Sequence, residues 1–519
     1  MNIIIFSIIS AAYLLPNNSP PWNSFHSEFL AILFAITLGV KKIKYKTKIS
    51  PYHLFALALI FFAACWTFSN DGLYKTYFFI GLIYLISSVI AFDYAVSTKN
   101  QSTIKWLFSA LIFSSIITFG AQLAQFFEIS DSFFPWVLEP APGNRFFANF
   151  GQPNQLASLI CVSFLGSLYL LHQRKISDLT QIIITICFSA SLALAGSKTS
   201  ILTLVVSMVF LFFLKKESKK YFLYATSLLL LFLIIKLSIP SATRDYSSSD
   251  ISTGRIAMWK MLIQAILEKP WVGYGFNNTV SANFNAIAQF PESWHRITAH
   301  AHNLFLDFII WFGVPIGVCL AIAFSYLVYT ILFKQKTTEN KLVAYSIIPL
   351  IIHANLEFPL HYAYFLIPLG FIAGAVWPGK FYCDSVYTNK ILLTVCIALG
   401  TLITKEYFSL EHSLREQRFY LQNFQNSQSQ KEIKHLFLDL PTSQYNFLVR
   451  KKITEENIKE MEKLVRIYPT YRNLYFLCEY FLGKEDSNSF NFYYEKAINI
   501  LPEEQSLDFE RVFKTDKNF

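Results

Sequence analysis

The chain has 519 residues, 54% of them hydrophobic and only 15% charged, and a formal net charge of +10. That apolar fraction exceeds what the core of one water-soluble domain needs, so a bilayer is the expected solvent. The charge does not mark a nucleic-acid binder: from residue 408 onward 16 Lys/Arg face 17 Asp/Glu, so the excess lies elsewhere, in clusters at the ends of apolar runs, a pattern that orients a membrane protein. Of the seven cysteines, Cys65, Cys161, Cys187, Cys319 and Cys396 fall inside apolar runs, and their spacing fits neither a disulfide framework nor a zinc site.

Residues 1–15 are apolar without a basic start or a small-residue cleavage site, which predicts a retained first span. Further runs fall near 29–40, 52–68, 76–96, 106–126, 155–171, 179–195, 200–214, 221–237, 304–332, 342–355, 364–378 and 391–404. They are long and do not alternate, so they predict helices rather than barrel strands: an all-α, polytopic membrane protein with about 12–13 transmembrane helices. The linkers alternate in charge. One set is basic (41–48, Lys99 with Lys105, Arg174 with Lys175, 215–220, Lys334 to Lys341, Lys380 with Lys390), and the other has few cations. The positive-inside rule puts the basic set and the amino terminus in the cytoplasm. The other linkers, including a large loop at about 238–303, then face the periplasm of a cell inner membrane. The expected division is a transmembrane domain over 1–404 and a periplasmic helical domain over 405–519. In that tail, Pro469 and Pro502 close helical stretches 33 residues apart, and Tyr475, Leu482, Gly483 and Tyr494 fit a tetratricopeptide-like repeat. Such a tail is either a protein-contact module or an ordinary small helical domain.

Five polar stretches stand out. In the first, Gln152, Asn154 and Gln155 suit sugar hydroxyls and Arg145 suits a phosphate; the alternative is a capping turn with Asn154 as N-cap after Pro153. The second, Gly196-Ser197-Lys198-Thr199, lacks the full P-loop spacing, which excludes nucleotide binding. Lys198 either snorkels or touches a lipid diphosphate. In the third, Arg255 and Trp259 share a helix face beside a Gly273-Tyr274-Gly275 turn, a cation–aromatic pair or simply a packed surface helix. The fourth holds His300, His302 and Asn303. Side chains two apart on a helix diverge, so a metal is not expected, and one histidine as general base fits better; a capping histidine is the alternative. The fifth runs from His353 to Tyr364 and holds Glu357, His361, Tyr362 and Tyr364. A carboxylate at membrane depth calls for a partner, with Arg255 or His302 expected, unless it merely faces water.

Together the stretches 151–157, 196–199, Gly254-Arg255 with Trp259, 300–303 and 357–362 resemble the bacterial O-oligosaccharyltransferases that glycosylate pilins and other exported proteins, part of the O-antigen ligase and polymerase superfamily. The resemblance covers most of 1–404, and the tail looks like that of the pilin-transferase branch. It implies transfer of a preassembled glycan from undecaprenyl diphosphate, within the membrane lipid, to a Ser or Thr hydroxyl of an exported acceptor, without metal, nucleotide or other cofactor. It implies that His302 is the essential residue, that Lys198 and Arg255 hold the diphosphate, and that Gln152, Gln155 and Tyr362 or Tyr364 complete the pocket. Ligases more often carry arginine at the position of Lys198. Arg145, Asn154, Trp259, His300, Asn303, Glu357 and His361 join these as candidates for substrate binding. A ligase acting on lipid A core and a polymerase are the rival enzymes. A transporter or flippase is disfavoured, because the sequence shows no inverted repeat and no broken helices with midplane charges.

Overall fold

The structure is a computed structural model that describes residues 2–16, 20–43, 46–69, 74–98, 101–139, 145–214, 219–239, 250–290, 297–379, 381–385, 387–423, 431–450 and 453–515. In chain order the elements are α1 (Asn2–Leu14), α2 (Phe25–Lys42), β1 (Thr47–Ile49), α3 (Pro51–Ser69), α4 (Thr76–Thr98), α5 (Gln101–Phe126), α6 (Pro153–His172), α7 (Asp178–Ala195), α8 (Lys198–Phe212) and α9 (Lys219–Ser238). There follow α10 (Asp250–Glu268), α11 (Thr279–Ala286), α12 (Leu304–Phe333), α13 (Thr338–Tyr345), α14 (Ile348–Ala354), α15 (Ala363–Ala375), β2 (Cys383–Ser385), α16 (Thr388–Asn423), α17 (Asp439–Val449), α18 (Ile458–Val465), α19 (Tyr471–Gly483), α20 (Ser487–Ile500) and α21 (Glu503–Thr515).

The chain is an all-α, multi-pass membrane protein. Among the described residues eight helices (α3 to α7, α9, α12 and α16) are long and apolar enough to cross a bilayer, and α1, α8 and α15 are shorter apolar helices. Every apolar run of the sequence is helical, but the run at 342–355 is broken into α13 and α14. The two short strands pair antiparallel, Thr47 opposite Ser385. Beside them Lys42, expected as a loop cation, is buried: its Nζ lies 3.3 Å from Asp93 Oδ2, and His53 Nε2 lies 2.8 Å from Asp93 Oδ1. A charge taken out of water persists only when paired in this way.

The residues divide into two compact units. Unit 1 comprises 1–57, 81–247 and 323–400, and unit 2 comprises 58–80, 248–322 and 401–519. In unit 1, α6 packs against α5, α7, α8, α13 and α14. Lipid gives apolar side chains no drive to leave it, so such packing depends on small residues and interhelical hydrogen bonds. Ser115 Oγ donates to Ser163 Oγ at 2.8 Å between α5 and α6. Gly370 and Gly374, four residues apart on α15, face α4, where an added Cβ would come within 2.3 Å of Ser88 Oγ and of the Phe92 carbonyl.

In unit 2 the kink of α12 is joined to the segment before it. Gly313 has a left-handed φ of 77° and Pro315 lacks an N–H, so the Ile310 and Trp311 carbonyls lose helical donors. The turn after α10 replaces them: Tyr274 N donates to Ile310 O at 2.8 Å and Gly275 N to Trp311 O at 2.9 Å, while Val314 N donates to Pro270 O at 2.7 Å. Only glycine fits at Gly273, where a Cβ would sit 2.5 Å from the Ile310 oxygen. Among the tail helices, α19 and α20 form an antiparallel hairpin packed on α21, with Tyr475 and Tyr494 against Phe513. The tail is tied to the start of α4, where Asp439 accepts from Lys75 N and Thr76 N at 2.9 Å, and α16 holds it through Glu406, which accepts from three successive backbone N–H groups, Leu436 to Leu438.

Candidate active site

The polar residues around Pro153 and Glu357 form one cluster in unit 1. Pro153 starts α6 with its fixed φ, and Gln152 before it is extended. The stretch of chain leading there is held from α5 by two buried glutamines. Gln122 Nε2 donates to the Phe146 and Ser191 carbonyls, and Gln125 both donates to Ala148 O and accepts from Ala148 N. Ala148 has φ 52°, a conformation that a non-glycine residue keeps only when its surroundings enforce it.

Glu357 is the hub. Gln152 Nε2 donates to its Oε2 at 2.6 Å, Asn154 Nδ2 donates to its Oε1, and His353 Nε2 lies 3.0 Å from Oε2. Behind the imidazole, Ser158 Oγ lies 2.7 Å from His353 Nδ1. Burial by itself would raise the Glu357 carboxyl, but the hydrogen bonds from His353, Asn154 and Gln152 and the His353 charge outweigh it and hold the group below the usual value. The partner expected at Arg255 or His302 is therefore corrected: His353 and the two amides serve instead. Asn154 is not a helix cap either, since its Oδ1 accepts from Arg145 Nη2 at 3.1 Å and Ser197 Oγ at 2.7 Å.

Arg145 also donates from Nε to Ala195 O at 3.0 Å, which fixes the plane of its guanidinium. Lys236, in the last turn of α9, is within Coulombic range of it, and Lys198 is exposed at the start of α8. Gln155 is buried and accepts from Tyr364 OH at 2.8 Å. Tyr362, pushed up to about 12 by burial, keeps its proton at neutral pH. Burial pushes the His361 imidazole down to about 4, so it is neutral there. The segment between the tyrosines is positioned by Glu28, buried at the start of α2, which accepts from Ala363 N and from Ser24 Oγ.

Unit 2 holds the histidine turn by its backbone. Ala301, between His300 and His302, donates from N to Asp307 Oδ1 at 3.0 Å and accepts at O from Trp259 Nε1 at 2.8 Å. Asp307 also accepts from Thr279 Oγ1 at 2.8 Å, and Asn283 Nδ2 donates to Thr298 O at 2.7 Å. His302 has φ 53°, so the clamp on Ala301 stabilises a backbone conformation that a histidine seldom adopts. Asn303 acts as the cap of α12, its Oδ1 accepting from Phe305 N and Leu306 N, which leaves its side chain less suited to a substrate. Arg255 is half-buried on α10, one turn before Trp259. Just ahead of His300, Ile297 and Ala299 line an open, mostly apolar groove of about 1020 Å³ with Tyr468, Pro469, Leu501 and Pro502 of the tail.

Sequence reasoning includes Asp307 and His353 in its polar stretches without giving either a role, and does not single out Glu28, Gln122, Gln125, Ser158 or Lys236. An ionisable or amide side chain inside an apolar run was the available signal for most of them.

A multi-pass helical protein with a buried carboxylate–amide cluster that includes an arginine, and with a histidine turn whose backbone is clamped on both sides, has parts suited to a membrane-embedded group transferase. Residues 183–321 match the family model described as O-antigen ligase, and residues 342–505 match that of the virulence factor membrane-bound polymerase, C-terminal. The General O-oligosaccharyltransferase of Acinetobacter baylyi is 26% identical over 71% of this chain and 68% of its own. The ComP-specific O-oligosaccharyltransferase of the same organism is 25% identical over 76% and 74%, and a Putative polysaccharide ligase of Rickettsia felis is 25% identical over 52% and 65%. The chain is thus similar to O-oligosaccharyltransferases over most of its length and to the O-antigen ligase model over part of it, and is an enzyme of the glycosyltransferase type. The resemblance carried by its motifs is borne out.

Proposed function

We propose that this enzyme transfers a preassembled oligosaccharide from undecaprenyl diphosphate to a Ser or Thr hydroxyl of an exported protein such as a pilin, on the periplasmic face of the inner membrane and without a metal. A hydroxyl is a weak nucleophile and a lipid diphosphate a good leaving group, so the reaction needs a base at the one and cations at the other. In this reading His302 takes the hydroxyl proton as the oxygen attacks the anomeric carbon and the bond to the diphosphate breaks. Arg255, Lys198 and Arg145 stabilise the departing charge. Gln152, Gln155, Tyr362 and Tyr364 line the glycan's path, and the groove beside Ala299 takes the acceptor chain.

The observation that carries the reading is the clamp on Ala301. Trp259 and Asp307 hold both sides of Ala301 and so fix the left-handed backbone of His302 beside it, an arrangement suited to a residue whose ring must be presented in one position. Intact mass of exported proteins from wild-type and His302→Ala strains tests it: the acceptor is expected to lose one glycan unit while the variant stays inserted. An acceptor that keeps its glycan in the His302→Ala strain overturns the assignment. The match to the O-antigen ligase model supports one second reading, transfer to lipid A core; there the lipopolysaccharide, not a protein, loses mass.

A further inference from the structure

We propose that the groove beside Ala299 takes its acceptor as an added strand. An extended stretch of polypeptide pairs with the open backbone edge of Ile297 and Ala299 and lays alternate apolar side chains against the two proline turns of the tail. The inference rests on the protein-acceptor reading above and adds to it a mode of recognition that neither that reading nor the relatives' names contain.

The edge is built in the chain leading to His300. Ile297 and Ala299 line the groove, whereas Thr298 between them turns the other way: its Oγ1 donates to Met258 Sδ at 3.3 Å and accepts from Asn283 Nδ2 at 3.2 Å. Asn283, on α11, also donates to the Thr298 carbonyl at 2.7 Å. Side chains that alternate in this way put the main-chain groups of 297 and 299 on one edge and those of 298 on the other. The 298 edge is therefore occupied by the protein's own asparagine. On the opposite edge neither Ile297 nor Ala299 has a backbone hydrogen bond among the described residues, and Ala299 is exposed.

The walls fit the same occupant. Tyr468-Pro469 after α18 and Leu501-Pro502 after α20 are the two turns that mark the repeat of the tail, and both lie along the groove. Tyr468 N is used by Leu464 O and Leu501 N by Ala497 O, and a proline has no N–H, so these turns offer apolar surface while the 297–299 edge offers the hydrogen bonds. With about 1020 Å³ the groove has room for several residues of chain. A lipid tail would leave the edge unpaired, and a sugar would leave the apolar walls unfilled. A polypeptide strand satisfies both at one repeat. His302 follows Ala299 by three residues, about 10 Å of chain at most, so the acceptor hydroxyl sits within about three residues of the last paired position.

Binding of a short capped peptide, with valine at alternate positions and serine near one end, to the full-length protein in nanodiscs tests the mode without turnover. N-methylation of one alternate set of its residues is expected to weaken binding about 5- to 100-fold, through the hydrogen bonds lost to Ile297 and Ala299, and methylation of the other set less than about twofold. Equal effects of the two sets overturn strand addition, as does a failure of the unmethylated peptide to bind. Ile297→Pro removes a donor that has no partner within the described residues, and should bind the peptide about fivefold more weakly than Ile297→Val, which keeps it. Equal binding by these two variants at equal thermal stability overturns the edge. The methylated peptides test the same edge on the wild type if the proline variant does not fold. Displacement of the peptide by lipopolysaccharide core oligosaccharide gives the groove to a glycan and also overturns the proposal. Peptides that bind with the expected alternation, while exported proteins keep their glycan in the His302→Ala strain, sink the transfer reading and leave the docking mode standing.

Discussion

The carboxylate cluster of unit 1 and the histidine turn of unit 2 are held by opposite means. Around Glu357 side chains hold side chains: two amides, an imidazole, a hydroxyl and a guanidinium satisfy one another. Around His302 a tryptophan and an aspartate hold the backbone of Ala301. The first arrangement suits binding, where a set of charges must stay in place for an incoming anion. The second suits chemistry, where an imidazole must be kept in position to exchange a proton.

The contrast can be broken, and the largest effect is expected at the base. His302→Ala should lower the transfer rate by about 10²- to 10⁴-fold in a reconstituted assay, the usual contribution of a general base; a smaller loss would move the chemistry to another group. Asp307→Ala leaves Ala301 N without its acceptor, which costs about 1–3 kcal/mol, so kcat should fall roughly 5- to 100-fold while the affinity for farnesyl diphosphate stays near wild type. Trp259→Phe keeps an aromatic ring and loses one neutral hydrogen bond, about 1 kcal/mol or roughly fivefold in kcat. If these two variants changed donor affinity instead of kcat, the division between binding and chemistry would be wrong.

Stability against pH sharpens the same comparison. The Glu357 carboxyl is held below its ordinary value of 4.5, so its contribution is fully present above pH 4.5 and is lost as the pH falls below it. Thermal melts of the wild type should therefore drop on the acid side more steeply than those of E357Q. The smallest effect belongs to the tail. Burial lowers Lys496 from 10.5 to about 8 although its Nζ donates to Asn285 O. The unfolded chain then binds more protons between these values, so the tail should gain stability as the pH rises from 8 to 10.5. Hydrogen exchange across α20 reads that slope, and Lys496→Met should remove it.

The sequence made the helices legible, because an apolar run can only bury its backbone groups by forming a helix in lipid. The run at 342–355 misled, since apolar length alone does not reveal the break between α13 and α14. The polar stretches that make up the candidate site were also legible. The pairing inside it was not. Glu357 finds Gln152 from 205 residues away and Ser158 finds His353 from 195, and periodicity within one helix carries no information about which distant helix lies beside it. His353 heads the fifth polar stretch but is not expected there as the partner of Glu357, although its i, i+4 spacing to Glu357 is visible in the chain. The Gly273-Tyr274-Gly275 turn was read as a neighbour of the Arg255 helix, whereas its backbone completes α12.

That last feature bears on how the protein is made. The carbonyls freed by the kink at Gly313 are satisfied by a turn that leaves the ribosome about forty residues earlier, and in a bilayer each unsatisfied carbonyl costs several kcal/mol. α12 is thus a span whose kinked half is completed by backbone groups from outside it. The turn and the kink form one hydrogen-bonded unit, so exchanging the stretch from α10 to Gly275 between relatives should succeed only when the kinked half of α12 travels with it.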